Sequence, residues 1–100
     1  MCWEVEITDA ALVELESQFK TGVLTKEDAA VIKAWQAEVE AHGPDQLRMN
    51  RLWDDHDLDG EWRGFRSSCF SATGRIIYHV LKDRIVVEVV RITGSHDYRR

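Results

Sequence analysis

The stretch that decides the fold is Arg75-Ile76-Ile77-Tyr78-His79-Val80-Leu81-Lys82-Asp83-Arg84-Ile85-Val86-Val87-Glu88-Val89-Val90-Arg91-Ile92. It is rich in β-branched and aromatic residues and is broken once, at Lys82-Asp83. Two strands, 75–81 and 84–92, joined by a tight antiparallel turn are the reading this pattern favours. A two-residue turn sets Ile76, Tyr78 and Val80 against Ile85, Val87 and Val89 across the ladder. Those six side chains then form a core face. Arg75, His79, Val86 and Glu88 fall on the other face, mixed in character and partly wet.

Upstream, the segment from Glu61 to Phe70 reads as another strand, entered through the polar run Asp54 to Gly60. At the N-terminus, Trp3-Glu4-Val5-Glu6-Ile7 alternates apolar and charged residues, the period of a half-buried strand. Thr8-Asp9 starts a helix over 9–20, with Leu12, Leu15 and Phe19 on one face and Gly22 as its breaker. Thr25-Lys26-Glu27-Asp28 reads as a capping box and opens a second helix over 25–42. Ala29, Ile32, Trp35 and Val39 line one side of it, a core stripe rather than a ligand site. His42-Gly43-Pro44 ends it, since proline cannot continue a helix and glycine accepts the conformation of a C-terminal cap. The expected order is βααβββ: an α+β layer fold, with an N-terminal strand and helical hairpin packed on an antiparallel sheet. No repeat or linker divides residues 1–100, so one domain is expected.

Charge separates the chain into two surfaces. The formal net charge is −5. Residues 1–47 hold three lysines against ten acids, whereas residues 48–100 hold ten Lys/Arg against eight acids and three of the four histidines. Only the second half suits a polyanion. Cys2 and Cys69 have neither metal-ligand spacing nor a framework of partners, and no apolar run is long enough to cross a bilayer. A reduced, cytoplasmic setting without membrane contact is expected. Asp55-x-Asp57-x-Asp59-Gly60 imitates the start of a calcium loop. The twelfth position, however, is Arg66 where a bidentate glutamate belongs, so no metal is expected there.

Asp55-His56-Asp57-Leu58-Asp59-Gly60-Glu61-Trp62-Arg63-Gly64-Phe65-Arg66 resembles the DHxLxGxWxGxR block of YafQ-type toxins. Gly74-Arg75-Ile76-Ile77-Tyr78 is similar to the strand with Arg, two hydrophobic residues and Tyr shared by the RelE/ParE superfamily. Gly94-Ser95-His96-Asp97-Tyr98 resembles the ending of the same group. The three blocks cover residues 53–98 in the superfamily's order. The resemblance implies a RelE-like domain and a toxin of a type II toxin–antitoxin system. The implied activity is ribosome-dependent cleavage of messenger RNA through the RNA's own 2′-hydroxyl, without metal or other cofactor. The implied partners are a cognate antitoxin and messenger RNA on the ribosome.

Such chemistry needs a base, an acid for the leaving oxygen and cations for the phosphorane charge. His56 and His96 match superfamily histidines, Arg75 a phosphate-contacting arginine, and Tyr98 the terminal aromatic. Arg66 is placed with them on a strand of the same surface. Each has a plainer reading. His56 also reads as a solvated loop histidine, Arg75 as a strand-end cation and Tyr98 as packing over a sheet edge. Arg66 also reads as half of a salt bridge to Glu88 or Asp97, and His79 as structural. Two titratable positions of the YafQ-type pattern, a histidine and an aspartate, fall on Cys69 and Thr73. The lysines of RelE-like members fall near Trp62 and Gly64. A ParE-like gyrase inhibitor and a catalytically inactive binding module of the same fold therefore stand as alternatives. An antitoxin is expected to bury apolar surface and bring acids to Arg66, Arg75 or Arg91.

Overall fold

The computed structural model describes residues 3–81 and 86–94. A strand β1 (Glu4–Ile7) leads into helices α1 (Asp9–Thr21) and α2 (Lys26–His42). A short helix α3 (Gln46–Met49) and a 3₁₀ turn (Arg51–Trp53) follow, and then β2 (His56–Asp57). A second 3₁₀ turn (Gly60–Trp62) precedes β3 (Arg66–Cys69), β4 (Arg75–Leu81) and β5 (Val86–Thr93).

Local chemistry sets the helix ends where the sequence places them. The Thr8 hydroxyl accepts from the Ala11 amide at 3.2 Å, and Gly22 closes α1 in the left-handed region with φ of 82°. At α2, the Asp28 amide donates to Thr25 Oγ1 while the Thr25 amide donates to Asp28 Oδ2, a reciprocal capping box. Gly43 ends α2 under the Trp3 indole. A Cβ there would lie 2.6 Å from Trp3 Nε1, so close approach as well as its φ of 87° requires glycine.

The sheet order is β1-β5-β4-β3-β2. β1 runs parallel to β5, and every other pair is antiparallel. The expected antiparallel sheet is therefore mixed: α1, α2 and the β2–β4 meander carry the chain back so that β5 enters beside β1 in the same direction. The closing hairpin also differs from expectation. Leu81 pairs with Val86, so four residues rather than two separate the paired ends. Val80 then faces Val87, Tyr78 faces Val89, and beyond a bulge between Ile77 and Tyr78, Ile76 faces Ile92. Ile85 and the side chains of Val86 and Val87 lie outside the described residues.

The strand expected over 61–70 is shorter at its start. Gly60–Trp62 forms a 3₁₀ turn and Gly64 has φ of 93°, so extended pairing begins only at Arg66. Glycine's freedom at positive φ wins there over the apolar alternation. α3, the 3₁₀ turns and β2 are too short for periodicity to reveal.

Ile32, Trp35 and Val39 of α2 pack on Ile76, Tyr78, Val89 and Ile92, and these residues form the core with Leu47, Trp53 and Phe70. Trp35 meets Tyr78 edge-on, with ring centroids 5.3 Å apart, and donates from Nε1 to Ser68 Oγ at 2.9 Å. Tyr78 and Ser68 thus mark the face of the sheet that receives the helices. Leu15 of α1 packs on the core, whereas Leu12 and Phe19 stay exposed at its rim. Among the described residues no helix is long and apolar enough to cross a membrane.

Candidate active site

Strand alternation divides the titratable residues of β2–β4 between two faces. Arg66 pairs with Tyr78, and Ser68 with Ile76, on the helix face. His56 pairs with Ser67, Ser67 with Ile77 and Cys69 with Arg75 on the far face.

On the helix face a buried polar network closes around Asp55, whose side chain has no exposed surface. Its carboxylate accepts from Ser68 Oγ at 2.6 Å, from the Tyr78 hydroxyl, and from Arg66 Nε and Nη2 at 3.2 and 2.9 Å. Arg66 also donates to the Pro44 carbonyl and to Asp45, and its guanidinium carbon lies 5.2 Å from the Tyr78 ring centre. Burial opposes the charge on Arg66, but the Tyr78 oxygen, Asp55 and Asp45 outweigh it and hold the guanidinium above its ordinary pKa. Burial, then Asp55, pushes the Tyr78 phenol well above its usual range, against opposing effects of Arg66 and Ser68. Arg66 is thus a buried structural ion. It does not share a surface with Arg75 and His56 as expected, because an even step along β3 points it at the helices. Among the described residues its carboxylate partners are Asp55 and Asp45 rather than Glu88, and Asp97 lies outside the described residues.

The far face carries a different set. Asp54 is the single non-glycine residue with positive φ among the described residues, at φ 44° and ψ 44°. Its carbonyl oxygen lies 2.8 Å from His56 Nδ1. A carbonyl only accepts, so the proton of this bond is on Nδ1, and in the neutral ring Nε2 carries the free lone pair. The Asp54 carboxylate meets the Cys69 thiol, Sγ to Oδ2 at 3.8 Å. Arg75, across from Cys69, donates to the main-chain carbonyl of Gly74 at 2.9 Å and to those of Ser71 and Ala72 at 3.5 Å. Among the described residues these are its partners, and none of them is a carboxylate. Ser67, opposite His56, is fully buried and its hydroxyl has no hydrogen-bond partner.

Burial raises the Cys69 thiol above its ordinary pKa. Arg75 opposes that shift, and Asp54 reinforces it. His79 stacks on Phe65 at 4.8 Å and bonds Glu88 at 2.7 Å, a structural setting as expected. Arg91 is held by Glu14 of α1 at 2.6 Å. Thr73 donates to the Gly94 carbonyl at 2.7 Å, tying the β3–β4 loop to the end of β5. The structure therefore places His56 and Arg75 on one face with Cys69 and Ser67, and Arg66 on the other. His96 and Tyr98 lie outside the described residues. Asp54 and Ser67 are the residues sequence reasoning missed. No local motif marks a left-handed aspartate, and a serine's lack of a partner is visible only in three dimensions. Among the described residues, no cluster of His, Cys, Asp or Glu is arranged to hold a metal ion.

Similarity of fold is extensive. A metal-bound toxin from Helicobacter pylori superposes with a TM-score of 0.76 over 100% of both chains at 18% identity. YafQ in the E. coli DinJ–YafQ toxin–antitoxin complex gives 0.70, over 93% of this chain and 92% of that one, at 17% identity. A YoeB/ParE toxin from Agrobacterium tumefaciens gives 0.68, over 90% and 95%, at 17% identity. The chain has the RelE/ParE toxin fold. No family model matches the sequence, and no curated protein matches it. At this identity the likeness is one of RelE/ParE architecture: three helices on a five-stranded mixed sheet.

Proposed function

We propose that this chain is the toxin of a type II toxin–antitoxin pair and cleaves messenger RNA on the ribosome. The 2′-hydroxyl attacks the adjacent phosphate, and the products are a 2′,3′-cyclic phosphate and a 5′-hydroxyl. The observation that carries this reading is the bond between His56 Nδ1 and the Asp54 carbonyl, which leaves Nε2 as a base on the face that bears Arg75. An imidazole held in one tautomer can take the hydroxyl proton without first reorganising. Arg75, bonded to neutral carbonyls, keeps its charge for a phosphate. His96 and Tyr98 join the site through the resemblance of the Gly94–Tyr98 segment to RelE/ParE endings. Arg66 supports it indirectly, by fixing Asp55 and hence the backbone that carries Asp54 and His56.

A cognate antitoxin is the expected protein partner, as DinJ is for YafQ. Exposed Leu12, Phe19 and Val23 offer apolar surface for it. Arg66 and Arg91 already have carboxylates, so of these three Arg75, without a carboxylate partner among the described residues, is the one to meet a partner's acid. Cytoplasmic location follows from ribosomal action and from two cysteines without a disulfide framework.

The binding-only reading, including gyrase inhibition, draws on one observation: Thr73 serves as a tether where the YafQ-type pattern has a titratable group. Mass spectrometry of ribosome-bound messenger RNA separates the two. New 2′,3′-cyclic phosphate ends that vanish with His56→Ala support cleavage. Growth arrest without such ends supports binding alone.

A further inference from the structure

We propose that Cys69 is the general acid of this site, giving its thiol proton to the 5′-oxygen as His56 Nε2 takes the proton of the attacking 2′-hydroxyl. The inference rests on the nuclease reading and adds a catalytic residue to it.

Placement comes first. His56 lies directly opposite Ser67, and Cys69 is two residues further along the same strand on the same face. The diagonal between such positions is about 7–8 Å between backbones, enough for one phosphate to sit between the two side chains. His56 is exposed and Cys69 half-buried. Between them Ser67 Oγ is fully buried without a partner. Buried hydroxyls in folded proteins are nearly always bonded, so an orphan at this point leaves a bond that the protein itself does not supply.

Asp54 links the pair. Its carbonyl orients His56, and its carboxylate accepts from the Cys69 thiol. A left-handed aspartate is costly unless its surroundings impose it, and such strain concentrates at functional sites. Arg75 lies across the ladder from Cys69. It steadies both the phosphorane and the thiolate left after the proton is given up. With its pKa raised by burial, the thiol stays protonated at neutral pH, as a donor must.

The step balances without an added reagent. The 2′-oxygen bonds to phosphorus as its proton moves to His56. The bond from phosphorus to the 5′-oxygen breaks, and that oxygen takes the Cys69 proton. Exchange with water returns the His56 proton to solvent and reprotonates the thiolate, restoring both groups.

The test is single-turnover cleavage of ribosome-bound messenger RNA, made with an ordinary 5′-oxygen or a bridging 5′-sulfur at the cleaved position. A thiolate leaves without protonation, so loss of the acid matters only for oxygen. Cys69→Ala and the near-isosteric Cys69→Ser should cleave the oxygen substrate about 10²–10⁴-fold more slowly and the sulfur substrate at the wild-type rate. His56→Ala should be slow on both. Wild-type rates for both Cys69 variants on oxygen, or equal slowing on both substrates, overturn the proposal while the nuclease reading stands. Rescue by sulfur of His96→Ala instead gives the acid role to His96 and also overturns it. If the wild-type chain cleaves neither substrate, the nuclease reading fails, and the acid assignment with it.

Discussion

Arg66 and Asp55 form a buried ion pair at 2.9 Å, with side-chain exposures of 10% and 0%. Around it the Tyr78 hydroxyl, Ser68 Oγ and the Pro44 carbonyl complete the hydrogen bonding. The pair joins β3 to the segment that carries Asp54 and His56, so it anchors the far-face site from behind. Removing one member leaves the other buried charge without its main partner, with only exposed Asp45 beside Arg66 or half-exposed Arg48 beside Asp55, at a cost toward the lower end of about 3–5 kcal/mol. Arg66→Met and Asp55→Leu should each destabilise the fold by that much in urea titrations. The double variant should lose clearly less than the sum, because no lone charge remains. Additive losses would show that the pair is not coupled.

Tyr78 tests the core and the pH dependence together. Its ring is fully buried against Trp35, so Tyr78→Ala should cost about 3–5 kcal/mol. Tyr78→Phe keeps the ring contact but removes a donor to Asp55, and should cost about 1–3 kcal/mol. The folded phenol is held above its ordinary range, chiefly by burial. An acid group with a raised folded pKa contributes stability below its unfolded pKa, and that stability is lost as pH rises further. The unfolded phenol ionises near about pH 10. Wild-type stability should therefore fall above that pH more steeply than that of Tyr78→Phe. Parallel declines of the two proteins would place the phenol in a more open setting.

Most of the fold was legible because its elements are long enough to show a period. The helices over 9–20 and 25–42, and the placing of Ile76 and Tyr78 on the core face, rest on patterns spanning several turns or pleats. The direction of β1 against β5 was not legible, since pairing direction leaves no mark in a four-residue strand. Hairpin register failed for a related reason. Lys82-Asp83 resembles a tight turn, but Leu81 pairs with Val86, so four residues connect the strands and the register moves with them. In the site, family-like motifs pointed to His56 and Arg75. The face of Arg66 was not legible, because the register of β3 against β4 that pairs it with Tyr78 leaves no mark in the local sequence.

The backbone at Asp54 predicts a division between two kinds of substitution. Its φ of 44° suits glycine and strains a β-branched residue by about 1–2 kcal/mol. Asp54→Gly should keep the carbonyl in place, and nitrogen NMR should still find neutral His56 protonated on Nδ1. Asp54→Val should destabilise the chain and release that tautomer preference. An unchanged tautomer in Asp54→Val would mean that the carbonyl does not orient the ring.

Cys69 chemistry gives the last test, and it needs no substrate. With Cys2→Ser removing the other thiol, the alkylation rate by iodoacetamide reports the thiolate fraction of Cys69. Burial is the largest influence on this thiol and raises its pKa, Arg75 lowers it, and Asp54 raises it again. Alkylation of the folded chain at neutral pH should thus be slower than that of the same chain in urea, where burial is gone. Arg75→Ala should slow it further, because the thiolate loses its cation. Asp54→Asn should speed it, because both the negative charge and the carboxylate acceptor for the thiol are removed. Comparing rates at several pH values separates this from a change in access, since access scales the rate at every pH while a pKa change moves its midpoint. Midpoints that fail to move in opposite directions would remove Arg75 and Asp54 from the electrostatics of Cys69.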